Sequence, residues 1–167
     1  MGTFSIQGGF KLKGDIHPQG AKNEALQVIC ACLLTSDEVI IDNIPQIIDV
    51  IKLIDLLSSL GVKVNKISKN KYSFKADDID VDFLQSKSFK SKGSGLRGSI
   101  MIAGPLLTRF GKGFIPKPGG DKIGRRRLDT HLLGLIKLGA SFRYNKEEHF
   151  YGVEATKLKG SFVLLDQ

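Results

Sequence analysis

The residues with the greatest chemical potential lie together between Lys117 and His131, in the run KPGGDKIGRRRLDTH. One carboxylate, Asp121, precedes three consecutive arginines, Arg125, Arg126 and Arg127, and Asp129, Thr130 and His131 follow after Leu128. Gly119, Gly120 and Gly124 leave the backbone free to reach positive φ and let a ligand come close. Guanidinium forks pair with phosphate and carboxylate oxygens two at a time, and a helix start adds unpaired backbone N–H groups. That combination fits a phosphorylated or carboxylated small molecule. An arginine run alone is more often a solvated loop, so the choice rests on the rest of the chain.

The elements that must position this run can be read from periodicity. Leu132 to Leu138 is expected to be a helix opening directly behind the loop. At the other end, Phe4/Ile6 and Phe10/Leu12 alternate, so residues 1–20 read as an extended, strand-like arm. Gly20-Ala21-Lys22-Asn23 then leads into an apolar, helix-like segment from Ala25 to Leu34. Val39-Ile40-Ile41 is a short strand broken at Asn43-Ile44-Pro45. A second helix carries Ile47, Val50, Ile51, Ile54, Leu57 and Leu60 at spacings of three and four, with Gly61 as its C-cap. Val62/Val64 and Tyr72/Phe74 alternate as a hairpin. Residues 77–95 are polar and irregular and are expected to be a solvated connection. Their aspartates lack the glycine and glutamate of a calcium loop.

The chain then repeats itself. Leu33-Leu34-Thr35 recurs as Leu106-Leu107-Thr108, and Leu60-Gly61 recurs as Leu138-Gly139, each followed by alternating pairs. The second copy is five residues longer between these landmarks, and the excess falls where the Gly119–Arg127 loop sits. An insertion in one copy of a repeat is where function is commonly grafted onto scaffold. Each copy also opens its first helix with a cation, Lys22 in one and Arg97 in the other. The order helix, strand, helix, strand, strand, occurring twice, describes α/β units sharing a core.

Composition narrows the partners. The 167 residues carry a net charge of +8, which favours anions. With three Tyr, ten Phe and no Trp, a basic face interleaved with aromatics for stacking single strands is hard to assemble. Cys30 and Cys32, two apart in a helix-like run, point about 200° from each other and suit neither a shared metal nor a disulfide. They read as buried thiols of a reducing compartment. No signal peptide or membrane-length apolar run is visible, and the cytoplasm is the default. The chain stops abruptly at the end of an apolar run, which reads as a cut.

With Gly20-Ala21-Lys22-Asn23, Leu106–Gly111 and Pro118–His131 placed, the chain resembles the enolpyruvyl transferase family. Within that family it is similar to the N-terminal part of the branch that acts on UDP-N-acetylglucosamine in peptidoglycan synthesis. The resemblance implies an inside-out α/β prism of repeated α-β-α-β-β units, two of three units of one domain being present. Residues 1–21 would be an N-terminal strand segment belonging to the other prism. Residues 22–167 would be the catalytic-loop domain, with units at about 22–76 and 96–167. It further implies transfer of enolpyruvate from phosphoenolpyruvate to the 3′-hydroxyl of UDP-N-acetylglucosamine, with no cofactor and no metal. Lys22 and Arg126 match the pair contacting phosphoenolpyruvate, and Asn23 a contact at the junction of the two substrates. Arg97 matches an arginine near the nucleotide diphosphate. Arg126, Arg127, Leu128, Asp129 and Thr130 match the segment along the uridine, with His131 behind it.

The chain departs from the family at three places. Asp121 occupies the loop position usually filled by cysteine, the proton donor to C3 of phosphoenolpyruvate, which implies resistance to fosfomycin, a drug that alkylates that thiolate. Arg127 stands where proline usually packs on uracil. The family's other acid/base aspartate belongs to a C-terminal half that this chain lacks, so the chain alone is expected to be inactive and to need that half as its partner. Neither nucleic acid nor membrane is an expected partner. Two alternatives stay open: a shikimate-pathway enolpyruvyl transferase, and a non-catalytic basic phosphate- or RNA-binding module. Asp129 is read both as a helix cap and as a ligand contact.

Overall fold

A computed structural model describes residues 3–116, 128–146 and 150–164. The first unit comprises α1 (Lys22–Ala31), β1 (Glu38–Ile41), α2 (Ile48–Ser59), β2 (Lys63–Ser68) and β3 (Lys71–Lys75). Then comes α3 (Lys87–Ser94), and after it α4 (Ala103–Phe110), β4 (Lys112–Pro116), α5 (Asp129–Lys137), β5 (Ser141–Asn145) and β6 (Phe150–Glu154).

The two sheets share one topology. Each has three antiparallel strands, ordered β1-β3-β2 and β4-β6-β5, with the last strand of the unit in the middle. The α2 and α5 ends match in detail. Gly61 and Gly139 both take positive φ, 101° and 99°, just past their helices. The carbonyl of Leu60 accepts from Asp80 N at 2.9 Å, and that of Leu138 accepts from Lys159 N at 2.8 Å. The repeat read in the sequence is thus an α/β repeat in three dimensions.

Burial is uneven. One cluster takes Ile29, Leu33, Leu53, Leu57 and Phe74 from the first unit together with Ile102, Leu106 and Phe114 from the second. A much smaller one holds Leu107, Ala140, Val153 and Ala155, with Leu135, Phe142 and Leu158 packed against it. α5 has no fully buried residue, and its Leu133 and Ile136 are about half exposed. Arg109, near the end of α4, joins the units. Its Nη1 donates to the carbonyls of Leu33, Thr35 and Ala76 at 3.2, 3.0 and 2.6 Å.

Two expectations need correction. Residues 77–95 are not a solvated tether. Asp80 Oδ1 accepts from the backbone N–H groups of Asp82 and Phe83 and starts a 3₁₀ turn. Ser86 Oγ then caps α3 by accepting from Phe89 N at 3.0 Å. Phe89 is fully buried, edge-on to Phe83 and Phe114. Lysines around a single phenylalanine hid a short helix anchored by one side chain. The segment after Arg97 is likewise not uniformly α-helical, because residues 97–102 form a 3₁₀ turn before α4. Outside the two units, residues 3–20 form no helix and pair with no strand among the described residues, and Phe4, Ile6, Leu12 and Ile16 are almost wholly exposed. An alternating pattern specifies a strand only where a sheet edge is offered.

Candidate anion-binding cleft

The cleft is built from the start of α1 outward. Gly20 lies so close to the backbone of Asn43 that a Cβ would run into that residue's carbonyl oxygen. This close approach explains the glycine and seats the Ala21-Lys22-Asn23 turn on the β1–α2 connection. That connection is itself fixed, with Asn43 in the left-handed region at φ 57° and Ile44 N donating to Asn70 O at 2.8 Å. The first turn of α1 therefore meets the first turn of α2. Lys22 Nζ reaches Asp49 Oδ2 at 3.1 Å, with both side chains a little over 40% exposed.

The second unit supplies the opposite wall. Ser99 Oγ donates to the carbonyls of Gly93 and Leu96, locking the turn that carries Arg97, and Ser99 and Leu96 are buried beneath it. Gly98 packs on Leu26 of α1, where a Cβ would stand 3.2 Å from Leu26 Cδ1. Arg97 is thereby held against α1. Leu128, at the N-cap of α5, and His131 in its first turn complete the rim.

The result is a cleft of about 640 Å³ bounded by Lys22, Asn23, Asp49, Lys52, Arg97 and His131, with Leu26 and Met101 among its apolar wall. That size suits a small-molecule ligand. Among the described residues three cations line the cleft with one carboxylate, an arrangement that attracts anions. Among the described residues no group of three or more His, Cys, Asp or Glu could hold a metal ion.

Of the residues singled out by sequence, Lys22, Asn23, Arg97, Leu128 and His131 come together here, although they span more than a hundred positions. Asp129 and Thr130 stand half-buried in the first turn of α5 and are not part of the cleft wall. Asp129 is the first helical residue, not the cap, which is Leu128. Its charge still faces the helix N-terminus favourably. Asp121, Arg126 and Arg127 lie outside the described residues. Sequence reasoning missed Asp49 and Lys52. Their signal was present, because α2 buries Val50, Leu53, Leu56 and Leu57 and leaves 49 and 52, three apart, on its polar side.

Cys30 and Cys32 take no part in the cleft. Both are free and buried, and desolvation pushes the Cys30 thiol up to about 12, with Cys32 adding to it, and the Cys32 thiol up to about 11. Thiols held neutral in this way are poor nucleophiles.

The family model for EPSP synthase (3-phosphoshikimate 1-carboxyvinyltransferase) matches residues 6–166. A protein of Bacteroides fragilis named UDP-N-acetylglucosamine 1-carboxyvinyltransferase is 56% identical over the whole chain. Proteins of the same name from Porphyromonas gingivalis and Treponema denticola are 51% and 41% identical, also over the whole chain. The chain spans 38% of the length of each of these relatives. Among solved structures, the enolpyruvyl transferase NikO from Streptomyces tendae is similar at a TM-score of 0.70 and 20% identity, over 91% of this chain and 32% of that one. EPSP synthase from Acinetobacter baumannii is similar at a TM-score of 0.57 and 13% identity, over 89% of this chain and 33% of that one. These two likenesses speak for the α/β fold of enolpyruvyl transferases. A match over nearly the whole chain settles membership: the chain belongs to the EPSP synthase family of enolpyruvyl transferases.

Proposed function

We propose that the chain is the substrate-gripping N-terminal part of an enzyme that moves enolpyruvate from phosphoenolpyruvate to the 3′-hydroxyl of UDP-N-acetylglucosamine, releasing phosphate. The observation that carries this reading is the convergence of Lys22, Asn23 and Arg97 on one cleft, from two units and against the start of α5. Phosphoenolpyruvate brings a phosphate and a carboxylate, and the nucleotide sugar a diphosphate. A site for both needs several fixed cations and apolar surface beside them. The relatives that share more than half of this sequence carry the name of that reaction.

In this reading Lys22 neutralises charge on phosphoenolpyruvate, Asn23 stands where the two substrates meet, and Arg97 faces the diphosphate. The roles of Asp121 as proton donor to C3, of Arg126 beside Lys22, and of Arg127 to Thr130 along the uridine rest on sequence resemblance. The chemistry is addition followed by elimination. A proton goes to C3 as the sugar hydroxyl adds at C2, and loss of a proton and phosphate restores the double bond. The remaining length of the relatives would supply the second wall of the site, so the chain alone should bind without turning over. We place the enzyme in the cytoplasm, a reading supported by the two unbridged buried cysteines. Among the described residues no helix is long and apolar enough to cross a membrane.

The test is calorimetric titration of the 167-residue chain with UDP-N-acetylglucosamine, then with phosphoenolpyruvate, with shikimate 3-phosphate as the competing substrate. Saturable binding of the UDP-sugar, and phosphate release once the C-terminal portion of the Bacteroides fragilis relative is added, are the expected results. Preference for shikimate 3-phosphate would move the chain to the other branch of its family. Polynucleotide binding with steep salt dependence and no response to the sugar nucleotide would make it a binding module instead.

A further inference from the structure

We propose that Lys52 is a third phosphate-contacting cation of the cleft, so that α2 forms a binding wall of its own alongside α1 and the Arg97 turn. The inference takes its ligands from the enolpyruvyl transferase reading and adds to it a residue to which that reading gives no role. Lys52 is exposed, lines the same cleft as Lys22 and Arg97, and stands three residues after Asp49 on the polar side of α2. Asp49 is engaged with Lys22 at 3.1 Å, whereas Lys52 has no ion-pair partner among the described residues. A lone lysine on a convex surface is ordinary. In a concave cleft the low-dielectric walls focus the field of such a charge on whatever enters.

The charge pattern gives the ligand's chemistry. Among the described residues Lys22, Lys52 and Arg97 line the cleft with one carboxylate, that of Asp49, and this excess of positive charge suits a phosphoryl group. An ammonium on a flexible four-carbon stem is a point charge that can follow a phosphate as it moves or leaves, which a rigid guanidinium fork does less readily. Two sources share this chemistry, the phosphate of phosphoenolpyruvate and the diphosphate of the sugar nucleotide.

The test titrates the wild-type chain, Lys52→Gln and Lys66→Gln with phosphoenolpyruvate, UDP-N-acetylglucosamine and inorganic pyrophosphate, each at low and moderate salt. Lys66 lies on β2, away from the cleft, with its ammonium 5.6 Å from the Tyr72 ring, so its variant makes the same change in net charge elsewhere. Lys52→Gln is expected to weaken at least one ligand about five- to tenfold and to flatten its salt dependence, with Lys66→Gln within about twofold of wild type. The ligand that weakens identifies the phosphate that Lys52 meets. Equal behaviour of the two variants toward all three ligands overturns the proposal. Should wild type bind pyrophosphate but neither substrate, the enzyme reading fails while the pyrophosphate arm still decides the role of Lys52. Binding of none of the three overturns both.

Discussion

Lys22 is half exposed and bonded to a half-exposed partner, so its contribution to folding is small. Ion pairs of this kind contribute about 0–1 kcal/mol. Replacing it with alanine should leave the melting temperature nearly unchanged while weakening phosphoenolpyruvate binding by about tenfold or more, measured by thermal denaturation and calorimetry on one preparation. Loss of fold together with loss of binding would assign Lys22 to the scaffold. Asp121 raises a different question, because a carboxyl group delivers a proton only while it carries one, and the ordinary carboxyl range lies well below that of a thiol. With the C-terminal portion of the Bacteroides fragilis relative added, turnover should decline with rising pH earlier than in an Asp121→Cys variant. Fosfomycin should form no adduct with wild type and one adduct with that variant, read by intact-protein mass spectrometry. The buried cysteines make a third prediction. Above the ordinary thiol value near 9 an unfolded chain gives up protons that the native state keeps, up to about 12 at Cys30. The unfolded state then binds fewer protons, and stability must fall as pH rises through that window. Cys30→Ala should remove part of that slope in denaturant titrations at pH 7 and pH 10, after allowing for its constant packing cost.

At the scale of elements, the two helix-ending glycines make a paired experiment. Both take positive φ, which costs an alanine about 1–2 kcal/mol. Gly61 also lies against the carbonyl oxygen of Asp78, whereas a Cβ on Gly139 would sit 3.5 Å from the carbonyl oxygen of Lys157. Gly61→Ala should therefore destabilise more than Gly139→Ala, as read from the midpoints of urea unfolding. Phe89→Ala in α3 should cost about 3–5 kcal/mol, as for a large buried aromatic; a loss below about 1 kcal/mol would return the segment to the status of a tether. These elements also show what was legible in advance. Helices α1 and α2 and the hairpins announced themselves through spacing, because each buries one stripe or face, and α5 through an apolar run that buries no residue fully. Helix α3 did not, since a single phenylalanine among lysines makes no stripe; only Ser86, an N-cap residue three positions before it, pointed that way. Lys22, Asn23 and Arg97 were legible through local motif context. Asp49 and Lys52 showed only as polar positions of α2, because their tie to the cleft comes from a neighbour 27 or more residues away in sequence that only the tertiary fold brings near.

For the whole molecule, the unequal cores set unequal stability. The first unit and α4 share a large buried cluster, while α5, β5 and β6 rest on a small one. Backbone amides of β5 and β6 should exchange with deuterium well before those of β3, and ligands that bridge Lys22 and His131 should narrow the gap by tying α5 to α1. Uniform protection across both sheets would contradict this. Arg109 carries a consequence for how the molecule comes together. Its three acceptors, on Leu33, Thr35 and Ala76, converge only once α1 and β3 are already in place. The guanidinium should therefore favour docking of the C-terminal repeat onto a finished N-terminal one over an unfinished one, an order that matches the direction in which a ribosome releases the chain.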